Sequence, residues 1–171
     1  TGIAVQAGIS ALTTVLVVTL DDAQFSFVAG WQAGQIWGAN WRFVLALLPW
    51  LCLMIPYVLL KARLLDVLNL GDEAAKSLGV SVEKERRKLL FAAVTLAACC
   101  VGAGGNIGFV GLIAPHLARR LVGPRHRILL PVCALTGAVL VCVADTIGRT
   151  LIAPSSIPTG IMTAIIGAPY F

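Results

Sequence analysis

The sequence predicts an all-α, polytopic membrane protein. Three observations lead there. First, 58% of the 171 residues are hydrophobic and 12% are charged, with a mean hydropathy of +0.92. A soluble domain of this length has too little interior to hide that much apolar surface. Second, apolar runs approach bilayer-spanning length, and no ladder of alternating ten-residue strands is present. Third, the basic residues are gathered. Lys61–Lys88 and Arg119–Arg127 hold eleven of the thirteen. If spans alternate, both stretches share one side, and the positive-inside bias makes it cytoplasmic. The net charge of +5 and pI near 9.2 then reflect topology rather than nucleic-acid binding.

The elements follow in order. Residues 1–20 make about one span, closed by Asp21-Asp22. Residues 25–38 carry Trp31 and Trp37, with Gly30, Gly34 and Gly38 at a four-residue period. Tryptophan favours the interface and a glycine row favours close packing, so this stretch predicts a short outer interfacial helix. Residues 42–60 are the next span, kinked by Pro49 and Pro56. Residues 61–88 are a polar cytoplasmic loop. Two short apolar spans follow, 89–104 and 107–121, interrupted by Gly102, Gly104, Gly105, Gly108, Gly111 and Pro115. Such segments suit a bundle interior beside a pathway. Residues 129–152 are a long span, 153–158 a turn and 159–167 a short outer helix. Five cysteines lie in apolar runs without metal-ligand spacing and read as small core residues. The chain starts without Met and stops where another apolar segment is expected, as a piece of a longer protein would.

The chain is organised around Lys61–Lys88. Within it, Gly71-Asp72-Glu73-Ala74-Ala75-Lys76-Ser77-Leu78-Gly79 predicts a short capped helix. Asp72 is placed to accept an early helical N–H, and Gly79 to close the end in a left-handed conformation. Leu70, Ala74, Ala75 and Leu78 fall on one apolar face. That face either lies on headgroups or its own bundle, or docks into a cytosolic protein.

Two charges stand inside apolar sequence. Asp145 and Arg149 are four residues apart, which allows a local helical pair. By alternation Arg149 and Arg42 face outside, where cations are rare, so they are also placed to meet an acidic partner. His116 reads as a helix-end or core histidine, since no acid lies near it in sequence. No phosphate-binding loop, nucleophile elbow or metal motif is present, so energy must come from a gradient or a partner.

Four segments together resemble the FecCD-type permeases, the membrane subunits of ABC importers for ferric siderophores, haem and cobalamin. Gly105-Asn106-Ile107-Gly108-Phe109-Val110-Gly111-Leu112-Ile113-Ala114-Pro115-His116-Leu117-Ala118-Arg119 resembles their signature. Leu70–Gly79 resembles their cytoplasmic coupling loop. Ala144-Asp145-Thr146 with Arg149 resembles a third motif. Pro158-Thr159-Gly160 through Gly167-Ala168-Pro169-Tyr170-Phe171 resembles a fourth. The resemblance implies a ten-helix type II importer permease in a bacterial cell membrane, with this chain its C-terminal half from about the fifth helix and lacking the last. It implies a second permease subunit, identical or not, two cytoplasmic ABC ATPase subunits and an extracytoplasmic substrate-binding protein. Gly71, Asp72, Glu73, Ala74, Ala75, Leu78 and Gly79 would couple to the ATPase, and Arg149 with Arg42 would dock the binding protein. ATP and magnesium would sit on the ATPase, with no catalytic residue, cofactor or metal on this chain. The alternative is an ion-gradient-driven secondary transporter, which would call on acids within the spans, with Asp145 as the candidate.

Overall fold

The computed structural model describes residues 2–36, 41–151 and 157–170, without the side chains of Phe43 and Tyr170. The described residues contain nine α-helices and a closing 3-10 turn. They are α1 Gly2–Val18, α2 Asp22–Gln32, α3 Trp41–Leu60, α4 Ala62–Leu68, α5 Asp72–Ser77, α6 Val82–Gly104, α7 Val110–Val122, α8 His126–Thr150 and α9 Thr159–Gly167. The turn is Ala168–Tyr170. No strand occurs among the described residues.

Helix lengths decide which elements reach across a bilayer. Residues 82–104 and 126–150 are long and apolar enough, and α3 counts as a third only if it and the bent α4 form one span. At 1.5 Å per residue, α6 and α8 extend about 35 Å, against a hydrocarbon core of about 30 Å. With 13 residues, α7 extends only about 20 Å. It cannot span alone, although residues 107–121 read as a span in the sequence. The difference arises at its start, where residues 105–109 are irregular and the helix begins at Val110.

Other boundaries differ for local reasons. The polar stretch 61–88 is not one loop. It contains α4, α5 and the first two turns of α6, so the 89–104 run belongs to a helix that starts at Val82. The long span begins at His126 rather than 129. The interfacial helix stops at Gln32, short of 38. Gly34 adopts φ +75°. Its N–H donates to the Trp31 carbonyl and the Gln35 N–H to the Gly30 carbonyl, both at 3.1 Å. This is a Schellman closure, so Gly34 ends the helix, and it also packs closely, since a Cβ there would lie 3.0 Å from the Gly160 Cα. Gly38 and the turn at 153–156 lie outside the described residues.

α3 runs on through Pro49 and Pro56. The bend of 50° comes after Leu60, between Val44–Leu60 and Ala62–Leu68. The core is thin. It is built around α7, α8 and α9, where Ile113, Ala114, Ala118, Leu129, Ala144 and Met162 are buried. No described residue of α1 is buried. Its Thr13 and Thr14 hydroxyls donate back to the Ile9 and Ser10 carbonyls, which suits an apolar surround. The five cysteines are exposed or half-buried rather than core residues. They lie on helix faces that the described bundle leaves open.

Candidate functional site

The helices carry two polar clusters, one at each end. At the basic end, an ion pair ties α5 to α6 and hydrogen bonds tie α4 to α8. Asp72 accepts two bonds from Arg86, at 2.6 and 3.3 Å. It therefore does not cap α5. Gly71 holds the capping position and no side chain caps it, because the Asp72 carboxylate is turned to α6. The α5 exit is as expected. Gly79 has φ +80°, and the N–H groups of Gly79 and Val80 donate to the Lys76 and Ala75 carbonyls at 2.9 and 3.0 Å.

Lys61, between α3 and α4, donates to Glu85 at 2.7 Å, and Lys88 donates to the same carboxylate at 3.1 Å. Glu85 thus holds two cations, one from the α3–α4 junction and one from its own helix. Asp66 on α4 accepts the His126 backbone N–H at 2.9 Å and lies 2.6 Å from its Nδ1. Those bonds, led by the backbone one, hold Asp66 below the usual aspartate range. The carboxylate thus sits on an orphan N–H at the start of α8.

The four apolar residues expected to share one face of α5 are divided. Ala75 is fully buried and Ala74 half-buried, whereas Leu70 and Leu78 are 69% and 64% exposed. Asp72 and Glu73 are exposed beside them. The result is a short helix tethered by charge, with two leucines standing outward at the basic end.

At the opposite end, segments far apart in sequence converge. The Gly160 N–H donates to the Gly34 carbonyl at 3.1 Å, the Asn106 N–H to the Trp31 carbonyl at 3.4 Å, and the Ile157 N–H to the Gly148 carbonyl at 3.1 Å. A Cβ on Gly160 would lie 2.5 Å from the Ala33 carbonyl oxygen, and one on Gly105 would collide with that of Trp31. Asp145 bonds Arg149 at 2.7 Å and accepts the Thr159 hydroxyl at 2.8 Å. The local pair predicted from the four-residue spacing therefore exists, with the Arg149 side chain 47% exposed.

The remaining motif residues fall as follows. Pro158 precedes α9 as its cap residue, and Pro169 lies in the closing turn. Gly167 faces Phe109, whose Cβ would be 2.7 Å from an added Cβ. Gly108 and Gly111 meet open space. Pro115 is inside α7, while His116 and Arg119 are exposed on it. Arg42 is exposed in the first turn of α3. Residues the sequence did not single out complete both clusters. Arg86, Glu85, Asp66 and His126 meet partners 14 to 60 positions away, beyond any local spacing rule. Phe109 has φ +65° without being glycine, and Thr159 is only 2% exposed.

The FecCD transport family matches residues 1–171. The chain belongs to that family. Over 170 residues it is 52% identical to the iron(3+)-hydroxamate import system permease protein FhuG of Bacillus subtilis, covering 99% of this chain and 51% of that one. It is 44% identical over 172 residues to the Fe(3+) dicitrate transport system permease protein FecD of Escherichia coli, covering 100% and 54%. Among solved structures, a metal-chelate type ABC transporter in an inward-facing conformation superposes with a TM-score of 0.92 at 36% identity, over 99% of this chain and 55% of that one. The chain spans about half the length of these FecCD relatives.

Proposed function

We propose that this chain forms about half of a permease subunit in an ATP-driven importer that carries an iron chelate across the bacterial cell membrane. The observation that carries the reading is α5. It is tied to α6 through Asp72 and Arg86, buried through Ala75, and open through Leu70 and Leu78. A helix that is fixed in place and exposes two leucines is suited to fill a groove on a cytosolic partner. In this reading the partner is an ABC ATPase, one of two, which binds ATP and magnesium. Its closure moves α5, and the tether passes that motion to α6. Two permease subunits then rock about the path and open it to one side at a time.

Arg149 and Arg42 meet acids on an extracytoplasmic binding protein at the opposite end. The Asp145 pair orients the Arg149 side chain for that role. The similarity to permeases named for iron(3+)-hydroxamate and Fe(3+) dicitrate transport supports a ferric chelate as cargo.

The test uses the full-length permease in vesicles with its ATPase and binding protein. Uptake of a ferric hydroxamate that requires internal ATP and survives collapse of ion gradients is the expected result. Uptake driven by a proton or sodium gradient without the ATPase would contradict the proposal. It would turn attention to Asp145.

A further inference from the structure

A cleft of about 690 Å³ lies between α3 and α6 near the basic end. Met54 and Tyr57 of α3 line it together with Lys84, Arg87, Lys88 and Phe91 of α6. These residues follow from the helix period. On α6, positions 84, 87, 88 and 91 fall on one stripe. The cations occupy the first two turns and the ring comes next, about 10 Å along the axis from Lys84. Phe91 is 70% exposed, so its apolar surface is open. Lys84 and Arg87 enter no ion pair among the described residues. Lys88 is shared with Glu85 at 3.1 Å.

An occupant of this cleft needs an apolar body, an anionic head and about 10 Å between them. It must also reach a site on the flank of two membrane-crossing helices. We infer that the cleft holds an anionic phospholipid, with an acyl chain against Met54, Tyr57 and Phe91 and its phosphate on Lys84 and Arg87. The charges are complementary, and α6 becomes apolar at Leu89, which puts the cations at headgroup level. Basic side chains at this depth attract anionic headgroups, and tyrosine favours the same interface. This site is separate from the outward leucines of α5 and does not depend on the cargo.

The experiment places p-benzoylphenylalanine at position 91 of the full-length permease. The protein is held in nanodiscs of equal phosphatidylglycerol and phosphatidylcholine with matched chains, irradiated and analysed by mass spectrometry. The expected result is a phosphatidylglycerol adduct in clear excess. The excess should fall about fivefold for each cation removed in Lys84→Gln and Arg87→Gln, while the phosphatidylcholine adduct persists and reports an intact cleft. Equal labelling of both lipids, or an excess unchanged by the two substitutions, would overturn the inference. So would an adduct to a peptide of the permease itself, because the cleft would then be covered by protein.

Discussion

The Thr159 hydroxyl donates to the Asp145 carboxylate at 2.8 Å and so fixes the first residue of α9 to the last turns of α8. The same carboxylate holds Arg149 at 2.7 Å. One acid thus serves a structural bond and an exposed cation. Thr159 is 2% exposed, while the Asp145 side chain is 22% exposed and keeps Arg149. Thr159→Val should destabilise by about 1–3 kcal/mol, read as a lower thermal midpoint of the full-length permease, and Thr159→Ser should restore most of it. An unchanged midpoint in the valine variant would mean that the bond does not hold α9.

Arg149→Ala removes the cation and leaves Thr159 on Asp145. The fold should persist. Binding-protein association should weaken, and more so at low ionic strength, because exposed ion pairs are screened by salt. Titrating the binding protein onto the reconstituted permease at two salt concentrations checks this. Equal affinity for both variants would remove Arg149 from the docking surface.

The motif glycines should separate by what surrounds them. Gly105 has φ +72° and a carbonyl in the way of any Cβ, and Gly167 faces the Phe109 ring. Alanine at either should cost more than about 1 kcal/mol. Gly108 meets open space, and alanine there should fall within about 0.5 kcal/mol of the parent. Thermal midpoints of the three variants, measured side by side, decide whether Gly108 has a structural task among these helices.

The Asp66 carboxylate is held below its ordinary value by the His126 N–H. Its contribution is therefore complete above the unfolded aspartate value and lost as pH falls through the lowered folded value. Hydrogen exchange at the His126 amide, corrected for its intrinsic rate, should lose protection only on the acid side. In Asp66→Ala that protection should be absent throughout. A parent protected equally at all acid pH values would mean that the bond does not depend on the charge.

Much of this architecture was legible locally. The apolar runs gave the helical class, the basic stretches marked one end, and Gly79 marked the α5 exit. The Asp145–Arg149 pair followed from helical spacing. What escaped was set by tertiary context. Asp72 had the sequence context of a cap, but Arg86, 14 residues on, supplies a stronger partner. Gly34 looked like part of a packing row, yet it turns the chain beneath Gly160. The α7 segment had a span's composition, but the Phe109 turn shortens it. Asp66 and His126 are 60 positions apart, and neither lies in an apolar run that would draw attention to it.

The most direct test concerns the two outward leucines. Leu70→Asp with Leu78→Asp changes no ion pair and no buried residue, so the permease should insert and keep its thermal midpoint. ATPase association and ATP-dependent uptake of a ferric hydroxamate would be measured beside the parent. Loss of association and uptake in the leucine variant, with a normally inserted permease, is the expected result. Full association and uptake would contradict a coupling role for α5 and leave it as a helix resting on the membrane surface.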